Sequence, residues 1–273
     1  MNHKINRKIS VIGLGYVGLP IAVAFSQSMK VIGFDISQNR IDELKNGIDR
    51  TSEVSTTDLK ASNIHFISDF RELSGADFHI VTVPTPVDDK KQPNLEALFL
   101  ATETVGKILK EGDIVNIDVT AIVDGWHGDT SRMFFVGEVS VKCKNLVSTT
   151  YASMMKAISI IKKGIHLGDL GSIIQNYVEE RGFSVVRDFC GHGTGKKFHE
   201  PPNVLHYGKM GDGIKLEPGM IFTVEPMINE GLYDTKLLKD GWTAVTKDKS
   251  LSAQFEHTIG VTDSGYEIFT KSK

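Results

Sequence analysis

Cysteine is scarce: Cys143 and Cys190 are the only two in 273 residues. Two cysteines make no disulfide framework, and their surroundings, VKCKN and DFCGHG, lack metal-site spacing. A disulfide-stapled secreted domain and a cysteine-based zinc module are therefore excluded, and a reducing cytoplasm is the expected compartment. A charge excess is also lacking, because 31 Lys and Arg stand against 34 Asp and Glu for a net charge of −3. That balance argues against a nucleic-acid patch or a polybasic membrane anchor, so no nucleic-acid contact and no membrane are expected. Internal repeats and low-complexity segments are absent. Long apolar runs are lacking too. The best candidate, Ile9 to Phe25 behind a basic Met1 to Lys8, is broken by Gly13, Gly15, Gly18 and Pro20, which fits neither a signal peptide nor a membrane span. What remains is ordinary globular usage, 40% hydrophobic and 24% charged, over a length worth roughly 1.8 domains of ~150 residues.

The first hundred residues alternate strand and helix signals. Strands are expected over Lys8 to Gly13, Val31 to Asp35, Ile64 to Ile67 and Phe78 to Val83. Helices are expected over Leu19 to Ser28, Gln38 to Asn46 behind the cap Ser37, and Leu95 to Leu109. That alternation implies a parallel sheet built from βαβ units. Within it, Gly13-Leu14-Gly15-Tyr16-Val17-Gly18 is a GxGxxG that follows a strand and opens a helix, with Asp35 ending the next strand. In that context the first glycine allows the turn, the second admits a pyrophosphate, and the third lets helix and strand pack closely. Asp35 would bind ribose hydroxyls, favouring NAD over NADP.

After about residue 112 the pattern changes to antiparallel α+β. Two strands, Asp113 to Thr120 and Trp126 to Val136, flank Asp124-Gly125, a strong hairpin signal. A two-residue turn there pairs Val123 with Trp126 and Asp118 with Ser131. Asp118 and Asp129 then share a face as diagonal neighbours about 7–8 Å apart at the backbone. Helices are expected near Val147 to Ile161 and Asp169 to Arg181. His192 lies in GHGTG, read as a glycine-flanked turn. Glu225 ends the apolar strand IFTVE, and Glu256 lies in the apolar SAQFEHTIG, read as another strand. A carboxylate inside an apolar strand is costly unless something compensates, and a metal ion is the usual compensation. Four carboxylates and one imidazole form an oxygen-dominated set suited to two divalent ions such as Co, Mn, Fe or Zn.

Residues from about Lys8 to Lys110, with KISVIGLGYVGLPIAVAF, VIGFDISQNRIDELKNG and ADFHIVTVPTPVD, resemble the NAD-binding domain of nucleotide-sugar (UDP-sugar) dehydrogenases. Neither cysteine sits in the GxCF-type motif that carries the nucleophile in that family. From Gly112 to about Thr270, the motifs GDIVNIDV, DGWHGDTSRMFFVG, GHGTGKKFHEPPNVLHY, GMIFTVEPM and DGWTAVTKDKSLSAQFEHTIGVT appear in order and resemble type I methionine aminopeptidases. This second resemblance implies a pita-bread fold with Asp118, Asp129, His192, Glu225 and Glu256 as dinuclear metal ligands. It implies that His199 hydrogen-bonds the substrate peptide or tetrahedral intermediate, that Glu225 accepts the proton of the attacking water, and that Trp242 lines the substrate cleft. Its substrates would be nascent peptide N-termini, met near the ribosome. Thr194 stands where the family commonly has an aliphatic residue. His127, His206 and His257 read as ordinary surface histidines. The family's catalytic histidine in a CHG-type motif has no counterpart before residue 112, so turnover is expected to be impaired.

The expected architecture is α/β plus α+β: a Rossmann-type NAD-binding fragment at 1–111 joined to a truncated pita-bread domain at 112–273. The stretch VGKILKEGDIV at Val105 to Val115 fits both families, so the chain looks like a chimera joined at a short shared segment by recombination or by a sequence-assembly error. Two alternatives to the aminopeptidase reading stay open: an NAD-binding nucleotide-sugar dehydrogenase fragment, and a non-catalytic chimera.

Overall fold

A computed structural model describes residues 8–86, 94–238 and 243–271. The chain forms two compact units, one up to Lys110 and one from Glu111 onward.

In the first unit, β1 (Ile9–Ile12), β2 (Val31–Phe34), β3 (Ile64–Ile67) and β4 (Phe78–Val81) form a sheet in the order β3-β2-β1-β4. Every pairing is parallel. The strands β1 and β2 are buried along their whole length, as a sheet covered on both faces requires. One face packs on Leu19, Ala22 and Val23 of α1 (Gly18–Ser26), Ile41 and Leu44 of α2 (Gln38–Lys45), and Leu59 of α3 (Thr56–Ala61). The other face packs on Leu73 from a short 3₁₀ turn and Ala101 from α4 (Glu96–Gly106). Ser37 caps α2 by accepting the Arg40 N–H, which satisfies one of the free donors of the first turn.

The second unit opens with a hairpin of β5 (Ile114–Val123) and β6 (Trp126–Phe135). Asp124 has φ 51° and Gly125 φ 82°. Positive φ at both central residues is the type I′ condition that matches strand twist. The register follows, with Val123 opposite Trp126, Thr120 opposite Asp129 and Asp118 opposite Ser131. Two helices come next, α5 (Val141–Ser159) and α6 (Leu167–Glu179). The α5 helix starts six residues earlier than its apolar periodicity suggests, because the Ser140 hydroxyl accepts the Cys143 N–H and sets the start there.

The remaining strands are β7 (Ser184–Val185), β8 (Gly191–Gly193), β9 (Glu200–Val204), β10 (Ile221–Val224), β11 (Met227–Asn229), β12 (Thr235–Leu237), β13 (Ala244–Thr246), β14 (Ser252–Gln254), β15 (His257–Thr262) and β16 (Gly265–Ile268). They build a five-stranded sheet, β16-β15-β10-β8-β9, a three-stranded sheet, β14-β11-β7, and the pair β12-β13. Met154, Ile158, Leu170, Ile174, Phe222, Val224 and Ile259 lie in one fully buried cluster between helices and sheets. Among the described residues, no helix is long and apolar enough to cross a membrane.

Two expectations need correction. His192 is not in a turn but in the strand β8, between β10 and β9. Its flanking glycines let neighbouring backbones come close: a Cβ at Gly193 would lie 2.3 Å from the Pro201 carbonyl oxygen. Glu225 and Glu256 are not inside strands. The chain leaves the five-stranded sheet after Val224 and enters the three-stranded one at Met227, then returns between Gln254 and His257. Each glutamate sits where the chain changes sheets. There Glu256 makes a lone antiparallel bridge to Ser131.

Candidate metal centre

The hairpin, the five-stranded sheet and the two sheet-changing crossings converge on one cavity of about 530 Å³. Asp118, Asp129, His192, His199, Glu225 and Glu256 all line it, together with Phe189, Cys190, Phe198, Asn203 and Met227. Ligand atoms of Asp129, His192 and Glu256 lie within 4.8 Å of one another. His192 Nε2 stands 3.6 Å from Glu225 Oε1 and 3.9 Å from Asp129 Oδ2.

Asp129 and Glu225 are aimed by neighbouring side chains, and Glu256 is held through its backbone. The Thr120 hydroxyl donates to Asp129 Oδ1 at 2.8 Å. The Thr223 hydroxyl donates to Glu225 Oε1 at 2.6 Å, and Gln254 Nε2 donates to Glu225 Oε2 at 3.3 Å. The Thr130 hydroxyl donates to the Glu256 carbonyl at 2.8 Å. The Glu225 N–H donates to His206 Nε2 at 3.0 Å. His199 packs on the His192 ring, centroids 4.2 Å apart, and on Phe198 at 4.0 Å.

Crowding of acids in one cavity shifts Asp118, Glu225 and Glu256. Burial, then the charge of Asp129, raises the Asp118 carboxyl to about 6. Asp118 is the most open of the five residues, yet protein crowds its carboxyl on the cavity side. Burial also raises Glu225 and Glu256, and the neighbouring carboxylates add to the effect. Burial lowers His199, with His192 contributing, so its ring is neutral near pH 7. Glu256 is buried, and its Oε1 has no hydrogen-bond partner. A buried, unpartnered carboxylate oxygen among three other acids is the arrangement a divalent cation compensates. The donor set, oxygen-rich with one imidazole, fits divalent ions of the Mn, Fe, Co or Zn type.

Several of these positions were hard to see in sequence. His206 is not a surface histidine: it is 2% exposed, and burial lowers it to about 3. Phe198 and Cys190 line the cavity, and their only signal was proximity to His192 and His199. Thr194 is buried, and its hydroxyl has no partner. Trp242 lies outside the described residues.

The first unit carries the glycine fingerprint. Gly13 has φ +93°, Gly15 faces open space, and a Cβ on Gly18 would lie 1.9 Å from the Gly13 carbonyl oxygen. No side chain caps the start of α1. Asp35 accepts the Leu14 N–H at 3.0 Å and the Ser37 N–H at 2.9 Å, one on each oxygen.

With this geometry in hand, the family follows: the profile of metallopeptidase family M24 matches residues 87–263, and the chain belongs to that family. Its relatives are more specific. The chain is 62% identical over 167 residues to the methionine aminopeptidase of Rickettsia prowazekii (strain Madrid E), covering 61% of this chain and 64% of that one. It is 55% identical to the methionine aminopeptidase of Escherichia coli (strain K12), covering 61% and 63%. Among solved structures, the Rickettsia prowazekii enzyme superposes with a TM-score of 0.59 over 60% of this chain and 66% of that one. The Thermotoga maritima methionine aminopeptidase, 48% identical, gives 0.59 over the same shares. The chain thus spans just under two thirds of the length of the curated relatives it matches. A second profile, the NAD binding domain of the UDP-glucose/GDP-mannose dehydrogenase family, matches residues 7–131. Both profiles claim residues 87–131, which fits a chimeric arrangement joined through a shared stretch.

Proposed function

We propose that this protein is a metal-dependent aminopeptidase that removes N-terminal methionine from nascent peptides in the cytoplasm, near the ribosome. The observation that carries this reading is the convergence of Asp118, Asp129, His192, Glu225, Glu256 and His199 on one cavity. Likeness to the methionine aminopeptidases supports the choice of substrate. Two free cysteines support the compartment.

Asp118, Asp129, His192, Glu225 and Glu256 would hold two divalent ions, which when bound supply Lewis acidity toward a water and a peptide carbonyl. The protein's own groups do the rest. Glu225 accepts the proton of the attacking water, its Oε1 held by the Thr223 hydroxyl and its Oε2 by the Gln254 amide. His199, neutral near pH 7, donates a hydrogen bond to the peptide and holds it against the cavity wall. Phe198 packs against that ring.

The test is release of methionine from a Met-Ala-Ser peptide with Mn²⁺ or Co²⁺. Release should require metal, vanish in Glu225→Gln, and run about 10²–10⁴-fold below an intact aminopeptidase, the usual contribution of one absent acid–base group. Absence of any metal-dependent release sinks the peptidase reading.

A second reading concerns the first unit alone. We infer that the loop Gly13 to Gly18 binds the pyrophosphate of NAD, with Asp35 on the ribose. The open space at Gly15 and the uncapped start of α1 favour it.

A further inference from the structure

We propose that His206 is a positioning residue for Glu225, setting the direction of its carboxylate from the backbone side. The inference rests on the reading of Glu225 as a metal ligand and proton acceptor. At Glu225 the chain changes sheets. The last ladder pair before it is Val224 with His257, and the next after it is Met227 with Gln254. Pro226 has no N–H, so the Glu225 N–H is the one donor of this crossing without a strand partner. A donor left unmade in a protein interior is costly.

His206 meets it. The residue follows the end of β9, is 2% exposed, and takes the Glu225 N–H on Nε2 at 3.0 Å. The accepting nitrogen carries no proton, so the ring hydrogen sits on Nδ1. A rigid ring locked in the core fixes a peptide plane more tightly than a solvent molecule could. With the backbone held there, Thr223 and Gln254 hold the two carboxylate oxygens. Glu225 is thereby anchored at three points, and it presents Oε1 3.6 Å from His192 Nε2. Partners of this kind, one bond removed from a ligand, typically change metal affinity 10–100-fold when lost.

The test uses the full chain and manganese(II) alone. His206→Gln keeps an acceptor at the reach of Nε2, whereas His206→Asn, one methylene shorter, does not. Hydrogen exchange at the Glu225 amide in metal-free protein reads the bond itself, and titration followed by electron paramagnetic resonance reads Mn²⁺ affinity. The Gln variant should keep slow exchange and bind Mn²⁺ within about threefold of wild type. The Asn variant should exchange fast at Glu225 and bind about 10–100-fold more weakly. Slow exchange in the Asn variant overturns the proposal. So does fast exchange with unchanged Mn²⁺ affinity, which would make His206 a packing residue only. If the Asn variant does not fold, the Gln variant decides alone, and a tenfold loss of affinity in it overturns the proposal. Glu225→Gln separates the two levels: wild-type Mn²⁺ affinity there removes the ligand reading of Glu225, while the exchange pattern still judges the hydrogen bond.

Discussion

The Thr258 hydroxyl makes two hydrogen bonds to Asp129, accepting from its N–H at 2.9 Å and donating to its carbonyl at 2.8 Å. Both residues are buried. One side-chain oxygen on β15 thus fixes the backbone of a cavity carboxylate on β6. Thr258→Val keeps the shape and removes both bonds. It should cost about 1–3 kcal/mol for each backbone group left unpaired, and it should weaken Mn²⁺ binding, while Thr258→Ser should keep most of both. Urea unfolding and Mn²⁺ titration check this. A Val variant as stable as wild type would show that water replaces the hydroxyl at no cost.

The β5–β6 turn sets which residues face the cavity. Asp124 and Gly125 both have positive φ, and Asp118 and Asp129 lie on one face because the register begins there. Gly125→Val forces a branched side chain into the left-handed region, at roughly 1–2 kcal/mol. The prediction is a lower unfolding midpoint with weaker Mn²⁺ binding. Gly125→Asn, which tolerates that region, should recover most of the loss.

That hairpin was legible in sequence because its determinant is local: two turn residues and a period of two. The parallel βαβ unit was legible for the same reason, with Ser37 capping α2 and GxGxxG opening α1. What escaped is set by tertiary partners. Glu225 and Glu256 read as strand residues because their flanks are apolar. Only the pairing of β10 with β15 and of β11 with β14 shows that both sit at the break between two sheets. His192 read as a turn because glycines flank it, yet those glycines serve close strand approach. His206 carries no sequence signal of burial, since its partner is a backbone N–H nineteen positions away. The start of α5 was missed for a simpler reason: its first turn, Val141 to Lys144, carries two lysines and buries only Cys143, so periodicity points to the helix interior rather than to the Ser140 cap.

Metal binding should strengthen with pH. In the metal-free protein the Asp118 carboxyl is raised to about 6, and Glu225 and Glu256 are raised too, each by burial first. A carboxyl whose folded pKa is raised stabilises the fold below its unfolded value of ~4, and that stability is lost as pH rises through the folded value. Binding a cation expels those protons, so Mn²⁺ affinity should climb as pH rises through about 6, the Asp118 value, and on through the higher range of Glu225 and Glu256. His206 works in the opposite sense. Burial lowers it to about 3, so its contribution is present above ~6.5 and lost as pH falls below that. Comparing stability with and without Mn²⁺ at each pH cancels the His206 part. Calorimetry in two buffers of different ionisation enthalpy should show more protons released at pH 5.5 than at pH 8. Release of no protons at pH 5.5 would mean that the carboxyls are already ionised in the metal-free protein.

The glycine fingerprint makes a prediction that separates a ligand site from a plain turn. Gly15 has nothing near the place a Cβ would occupy, whereas a Cβ at Gly18 would lie 1.9 Å from the Gly13 carbonyl oxygen and 2.3 Å from the Thr82 hydroxyl. In the free protein, then, Gly15→Val should change stability by no more than about 0.5 kcal/mol, as substitutions into open space do. Gly18→Val should disrupt the packing of α1 on β1 and unfold the parallel sheet. With NADH the order of interest reverses. The space at Gly15 is where a pyrophosphate would approach the backbone, so Gly15→Val should lose NADH binding at least tenfold while its circular dichroism stays that of wild type. Fluorescence titration of NADH reads this directly. If wild type and Gly15→Val give the same titration, the glycines serve only the turn and the helix packing, and the first unit is a folded sheet without a dinucleotide.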